Sequence, residues 1–203
     1  MSKKIELYHF HMQDRSDRVR WLLEEMQIPF ENKFLDINKG ELKTPEYLKI
    51  NPMGRVPTII DGETVLFESG AICLYLADKY SYGKLAPKIE DKNRAEYLKW
   101  MVWSVGSLEC VVARMFTHVS TEEEKAITHQ FVKTQCEILS KPLIEVLSKQ
   151  EYILSSGFSA ADIMLGAIMP GAYDYLIKNN LVLEQYINRL MKRSMAIKAG
   201  VFG

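Results

Sequence analysis

A change in hydrophobic pattern near residue 91 constrains the fold of this chain more than any other feature. Before it, short strand-like runs mix with helical spacings, whereas the apolar residues after it recur with a helical period. Residues 81–90 contain glycine and proline without apolar periodicity, which is typical of a linker. We therefore predict a mixed domain over 1–80, a linker over 81–90 and an all-helical domain over 91–203.

The mixed domain has a recognisable order of elements. The patterns predict a strand over 4–10, a helix over 19–26, a parallel strand over 30–35 and a short helix over 45–50. A hairpin of two strands, 56–60 and 64–67, and a last helix over 69–80 follow. The turn Asp61-Gly62 makes the last two strands an antiparallel hairpin. This order predicts an α/β thioredoxin-like domain.

The second half is predicted to be all helical. The periodic segments cover 91–117, 122–150, 159–179 and 182–193, and Pro142 is expected to kink or split the second of them. Ser159 followed by Asp162 forms a capping box, with Phe158 and Ile163 at the flanking staple positions. Such a motif fixes a helix start, so we interpret Asp162 as structural.

Charge and composition exclude several classes of function. Lys and Arg total 26, Asp and Glu total 26, and the sequence has no polybasic run for nucleic acid or an anionic membrane. It also has no apolar stretch of membrane-spanning length and no secretory signal, which predicts a cytoplasmic protein. The three cysteines, Cys73, Cys110 and Cys136, are widely spaced in apolar surroundings and are interpreted as buried thiols.

Two short segments of the first domain carry the chemistry. Pro57 has no N–H to donate, so a strand that it opens leaves Val56 free to pair with an extended peptide, in a special geometry if their bond is cis. Glu68 and Ser69 begin a helix, whose N–H groups attract a carboxylate while Glu68 can take an ammonium. An amino-acid head followed by an extended peptide describes γ-glutamyl-cysteinyl-glycine.

At this point the sequence resembles the cytosolic glutathione transferases. The resemblance covers nearly the whole chain and rests on the segments LYHF, RVRWLLEE, GELKTPEYLKINPMGRVPTI, FESGAICLYLADKY and FSAADIMLG. It implies a thioredoxin-like domain that binds glutathione as co-substrate, a helical domain that forms most of the pocket for a hydrophobic small-molecule electrophile, and a homodimer. Trp100 and Met115 lie on the helix expected to cover that pocket, although residues at helical spacing more often form the core between helices.

The resemblance also implies roles for individual residues. Glu68 and Ser69 resemble the contacts to the γ-glutamyl group, and Val56, held by Pro57, resembles the main-chain contact to the cysteinyl group. Arg55 is similar to a neighbouring polar contact, and Lys43 to the lysine that reaches the glycine carboxylate.

The group that activates the thiol is open among four candidates. Family members use Tyr, Ser or Cys near the end of the first strand, but counting from the first helix leads here to His9 or to Gln13. His9 and Tyr8 rank equally as hydrogen-bond donors, Arg15 follows as a supporting charge, and Ser16 is fourth, at the helix start. His9 and His11 lack a third ligand at metal spacing, so no metal is expected.

Three functions are consistent with these features. The first is a glutathione S-transferase that transfers glutathione to alkyl or aryl groups in detoxification. The second is a glutathione-dependent peroxidase or isomerase. The third is a non-catalytic stress or regulatory binding protein on the same fold.

Overall fold

The computed structural model describes residues 4–10 and 13–203. These residues form two compact units. The first consists of the described residues up to Tyr82 together with Arg193–Gly203, and the second is Gly83–Lys192. The segment from Arg193 onward therefore packs with the first unit, whereas the sequence assigns it to the helical domain.

The first unit is built on a mixed sheet of four strands in the order β2-β1-β3-β4. The strands are β1 (Ile5–His9), β2 (Phe30–Phe34), β3 (Thr58–Asp61) and β4 (Thr64–Phe67), and the helices are α1 (Ser16–Glu25), α2 (Pro45–Ile50) and α3 (Ser69–Tyr80). β1 and β2 are parallel, whereas β3 is antiparallel to both β1 and β4. This is the predicted thioredoxin-like topology, with Gly62 at φ +66° in the hairpin turn.

Alternation along β1 divides the packing between the two faces of the sheet. Ile5 and Leu7 are buried on one face, at 3% and 0% exposure. Tyr8 lies on the opposite face, where its ring contacts Tyr47 of α2 at a centroid distance of 5.6 Å. On the helices, Val19, Leu22, Leu23, Ile72 and Leu76 are fully buried. The helical spacing of these residues in the sequence is thus the spacing of a packed face.

The second unit is helical, as predicted. Its α-helices are α4 (Arg94–Trp103), α5 (Glu109–Val112), α6 (Glu122–Leu147), α7 (Ala160–Ile168) and α8 (Leu181–Met191). Tight and widened helical turns follow α4, α5 and α7, at Ser104–Leu108, Ala113–Phe116, Met169–Ala172 and Tyr173–Ile177. Within the described residues, none of these helices is long and apolar enough to cross a membrane.

Pro142 does not split the long helix, which runs unbroken from Glu122 to Leu147. A proline removes one N–H, so the carbonyl of Ile138, four residues earlier, loses its helical partner. Ile138 is 52% exposed, so this turn of the helix lies on the solvent side. Of the two expected outcomes, a kink or a split, the split does not occur.

A last helix, α9 (Ser194–Ala199), packs against α1. The Arg193 guanidinium binds both carboxylate oxygens of Glu25, at 2.7 and 2.8 Å. The ring of Phe202 meets Trp21 edge-on at a centroid distance of 5.6 Å. These contacts explain why the end of the chain belongs to the first unit.

Candidate functional site

The strand register brings the predicted binding segments to one end of the sheet. Thr58 at the start of β3 lies opposite Phe67 at the end of β4, and opposite Tyr8 near the end of β1. The residues before Thr58, after Phe67 and after Tyr8 therefore lie at the same end. We call this end, with Arg55–Pro57, Glu68–Ser69 and His9, the site end.

The segment before β3 presents an unsatisfied main chain. The Val56-Pro57 peptide bond is cis, which is the case considered above for the main chain of Val56. Among the residues that the structure describes, the N–H and C=O of Val56 have no hydrogen-bond partner. The expectation that Val56 lies on a sheet edge was wrong, because β3 is an inner strand and begins only at Thr58.

The start of α3 combines three features of an anion site. Its cap residue, Glu68, is exposed and has φ +72°, a conformation that non-glycine residues rarely adopt outside functional sites. No side chain caps the first N–H groups of the helix. Ser69 is 5% exposed, and its Oγ accepts a hydrogen bond from the buried Arg18 guanidinium at 3.3 Å. A buried positive charge therefore lies behind a helix N-terminus.

Lys43 reaches the same loop from the segment before α2. Its Nζ donates to the main-chain oxygens of Met53 and Gly54, at 3.2 and 3.4 Å. Gly54 has φ +57°, and a Cβ there would lie 2.6 Å from the Leu42 carbonyl oxygen and 2.7 Å from Lys43 Nζ. Only glycine allows this close approach. Lys43 and Arg55 are both exposed beside the loop.

Tyr8 and His9 differ in what their side chains already contact. The Tyr8 hydroxyl donates to Glu6 Oε2 at 3.1 Å, and burial together with this bond raises the pKa of Tyr8 to about 12. The phenol is therefore protonated at neutral pH and committed to Glu6. His9 ends β1, and its ring meets Phe34 edge-on at a centroid distance of 5.8 Å.

The loop between β1 and α1 holds the other two candidates for thiol activation. Ser16 is fully buried, and its hydroxyl and N–H both donate to Oδ1 of Asp14. Asp14 also accepts from the N–H of Phe10 at 3.2 Å, so it joins the end of β1 to the start of α1. Arg15 and Gln13 are exposed. His11 lies outside the described residues.

Sequence reasoning missed several residues that shape this end of the sheet. Arg18 was not singled out because an arginine in an amphipathic helix is usually a surface group. Tyr47 and Asn51 were quoted only as letters of the motif, although both are buried and reach the Arg55 carbonyl. The available signal was Asn51 directly before Pro52 in the motif.

Metal binding has no support in the described part of the chain. Within residues 4–10 and 13–203, no group of three or more His, Cys, Asp or Glu side chains could hold a metal ion. Because His11 is not among these residues, the expectation of no metal stays a prediction.

The fold defines a class, which is a thioredoxin-like domain followed by helices. The family description "Glutathione S-transferase, N-terminal domain" matches residues 3–78. The disulfide-bond oxidoreductase YfcG of Escherichia coli K12 is 32% identical over 170 residues, covering 78% of this chain and 76% of that protein. The chain belongs to the glutathione S-transferase family.

Two further proteins bear on the comparison. Glutathione S-transferase 1 of Dianthus caryophyllus is 38% identical over 96 residues, which cover 47% of this chain and less than half (43%) of that relative. The structure of the glutathione transferase URE2P6 from Phanerochaete chrysosporium, in complex with oxidized glutathione, superimposes with a TM-score of 0.83. It is 25% identical, and the match covers 97% of this chain and 94% of that one.

Proposed function

We propose that this protein binds glutathione and transfers it to hydrophobic electrophiles. One observation carries the proposal: the uncapped start of α3, with Arg18 behind Ser69, lies at the same end of the hairpin as the unpaired main chain of Val56. An anion site beside a free strand-like segment fits a peptide with an amino-acid head. Family membership makes glutathione the natural choice.

The γ-glutamyl head is assigned to the start of α3. Its carboxylate would accept from the Ser69 hydroxyl and from the free N–H groups of the first turn, where the helix dipole favours an anion. The Arg18 guanidinium, bonded to Ser69 Oγ, adds positive charge close to that carboxylate. The exposed Glu68 carboxylate would take the ammonium.

The rest of the tripeptide is assigned to the loop before β3. The main-chain N–H and C=O of Val56 would pair with the cysteinyl residue, as in a short antiparallel ladder. The Arg55 and Lys43 side chains, both exposed, would attract the glycine carboxylate. Pro57 supplies no competing N–H.

The thiol must lose its proton before it can react. A free thiol has a pKa near ~8.5, so a hydrogen bond or positive charge must favour the thiolate. We assign this role to His9, which ends β1 at the site end. Tyr8 and Ser16 are weaker candidates because their hydroxyls donate to the carboxylates of Glu6 and Asp14. Arg15 remains a supporting charge. The thiolate then forms a C–S bond to the electrophile, and the leaving group departs with the carbon–leaving-group bond pair.

A second function is favoured by the relationship to YfcG, whose name describes a disulfide-bond oxidoreductase. Here the glutathione thiolate attacks a disulfide and releases one thiol. A second glutathione then attacks the mixed disulfide, which releases the other thiol and gives oxidised glutathione. The chain's own Cys73 and Cys136 are poor substitutes, since burial raises their pKa values to about 12 and 11.

Parallel activity assays separate these functions. Protein retained on immobilised glutathione is assayed with a chloronitrobenzene electrophile and, separately, with a small disulfide and an enzymatic readout of oxidised glutathione. Conjugation as the main activity supports the first proposal, and disulfide reduction as the main activity supports the second. Retention with neither activity favours a peroxidase, an isomerase or a non-catalytic binding protein, of which the first two have their own assays.

Homodimer formation and cytoplasmic location are carried forward as proposals. Exposed apolar side chains on α4 and α6 support an association surface, with Val102 59% exposed and Ile127 63% exposed. Light scattering coupled to gel filtration gives the mass in solution. A mass of a single chain across the micromolar range would contradict the dimer.

A further inference from the structure

We propose that Tyr47, Asn51 and Thr58 are positioning residues for glutathione, which fix the Arg55 carbonyl and thereby aim the main chain of Val56. The inference rests on the proposed function, since it assigns the groups that shape the same site. None of the three side chains is expected to touch the ligand. They act through the main chain that does.

The three side chains converge on one carbonyl oxygen from beneath the loop. The Tyr47 hydroxyl donates to the Arg55 oxygen at 2.6 Å, and Asn51 Nδ2 donates to it at 2.8 Å. Their exposures are 3% for Tyr47, 1% for Asn51 and 0% for Thr58, so water does not compete for these bonds. Arg55 is thus held by its main chain while its side chain stays exposed.

The donors and acceptors form a closed set. Because Tyr47 donates to Arg55, its oxygen accepts from the Thr58 hydroxyl at 2.9 Å. The second N–H of Asn51 Nδ2 donates to Thr58 Oγ1 at 3.0 Å. Asn51 Oδ1 accepts from the N–H of Met53 at 3.0 Å, which fixes the orientation of its amide. The Thr58 hydroxyl also lies 3.5 Å from the Arg55 oxygen, so all three side chains surround that carbonyl.

Burial keeps Tyr47 in the form that this arrangement needs. Loss of solvent raises the pKa of the Tyr47 phenol, although the neighbouring Thr58 and Asn51 side chains act in the opposite direction. The phenol therefore stays protonated and donates. A small set of buried, fully satisfied polar groups is a device for fixing one conformation of a loop. Here the loop is the segment before β3, in which Val56 follows Arg55. Among the described residues, the main-chain N–H and C=O of Val56 have no hydrogen-bond partner.

The test compares conservative variants that remove single hydroxyl groups. Tyr47→Phe keeps the ring that packs on Tyr8, and Thr58→Val keeps the side-chain shape. We expect each to weaken glutathione binding about 3- to 10-fold, which is the value of one or two neutral hydrogen bonds. Thr58→Ser keeps the hydroxyl and should bind like the wild type. Calorimetric titration gives the dissociation constants.

A matched control separates positioning from a general loss of stability. Tyr75→Phe removes a hydroxyl that donates to Asp61 at 2.9 Å, at the other end of β3. It should lower stability to a similar degree without changing glutathione affinity. A glutathione analogue that is N-methylated at the cysteinyl amide adds a second readout. Methylation should weaken binding to the wild type more than to Tyr47→Phe, because the variant has already lost the aim of Val56.

The outcomes are distinct. Weaker binding by Tyr47→Phe and Thr58→Val, with Thr58→Ser and Tyr75→Phe unchanged, supports the inference. Unchanged binding by Tyr47→Phe and Thr58→Val, or an equal loss in Tyr75→Phe, overturns it while glutathione binding stands. A wild type that does not bind glutathione overturns the proposed function itself.

Discussion

Replacing Asp162 with alanine is expected to destabilise the helical unit by several kcal/mol. The carboxylate is fully buried and accepts from Ile153 N–H and Tyr186 O–H with one oxygen, at 2.8 and 2.9 Å. The other oxygen accepts from the N–H and hydroxyl of Ser159, at 2.8 and 3.0 Å. Alanine leaves four donors in the interior without an acceptor.

The size of the effect follows from the donors that cannot move. A buried donor left unsatisfied costs about 1–3 kcal/mol, and the hydroxyls of Ser159 and Tyr186 can rotate towards other acceptors. Counting only the two main-chain N–H groups gives about 2–6 kcal/mol. Since a domain is stable by about 5–15 kcal/mol, this is a large fraction of the total. The midpoint of thermal unfolding should fall by about 2–4 °C per kcal/mol.

Urea unfolding followed by circular dichroism measures the loss. Asp174→Ala is the control, because Asp174 is exposed and its only ion pair among the described residues is with Lys178 on the same surface, at 3.0 Å. That variant should change the free energy of unfolding by less than about 0.5 kcal/mol. A loss below about 1 kcal/mol for Asp162→Ala would refute the reasoning from buried donors.

Three further predictions use the same structure. Burial raises the pKa of Asp162 to about 6, above an unfolded value near ~3.9. Ionising the buried group therefore costs stability, so the free energy of unfolding should fall as pH rises from about 4 through about 6. Urea unfolding from pH 4 to 7 should show this slope, and the slope should be flatter in Asp162→Asn. His9→Phe should raise the pKa of bound glutathione thiol, seen as thiolate absorbance against pH, whereas Tyr8→Phe should leave it unchanged because the Tyr8 hydroxyl is bonded to Glu6. Cys110 is exposed, so the interpretation of all three cysteines as buried was wrong for this one. Of the three, only Cys110 should react rapidly with a thiol reagent in the folded protein; fast reaction of two or more would contradict the burial of Cys73 and Cys136.

Much of the first unit could be predicted from local sequence signals. The bounds of α2 and α3 agree with expectation because Thr44 and Pro45 begin one helix, and apolar spacing defines the other. The hairpin could also be predicted locally, from the Asp61-Gly62 turn. These signals act between near neighbours in the chain and need no tertiary information.

The residues that sequence reasoning missed depend on contacts between distant segments. Arg193 pairs with Glu25, 168 positions earlier, so no local pattern assigns the last helix to the first unit. Arg18 meets Ser69 across 51 positions, and only this contact turns an unremarkable helix arginine into a candidate site residue. The capping box at Asp162 could be predicted from the sequence, but the hydrogen bonds that Asp162 accepts from Ile153 and Tyr186 could not.

The candidates for thiol activation show the same division. Sequence spacing ranked Tyr8 and His9 equally, because both lie at the end of a strand. The Tyr8 bond to Glu6 separates them, since alternation puts these two side chains on one face of β1. Ser16 is similar to Tyr8, because its hydroxyl donates to the carboxylate of Asp14, two residues earlier.

The most direct test of the account is a calorimetric titration of glutathione into the wild type and Ser69→Ala. We expect saturable binding to the wild type, with the γ-glutamyl head at the start of α3. The affinity of the variant should be about 10-fold lower or more, because the Ser69 hydroxyl accepts from Arg18 and donates to the ligand carboxylate. Absence of saturation in the wild type at millimolar glutathione, or equal affinity of the two proteins, would contradict it.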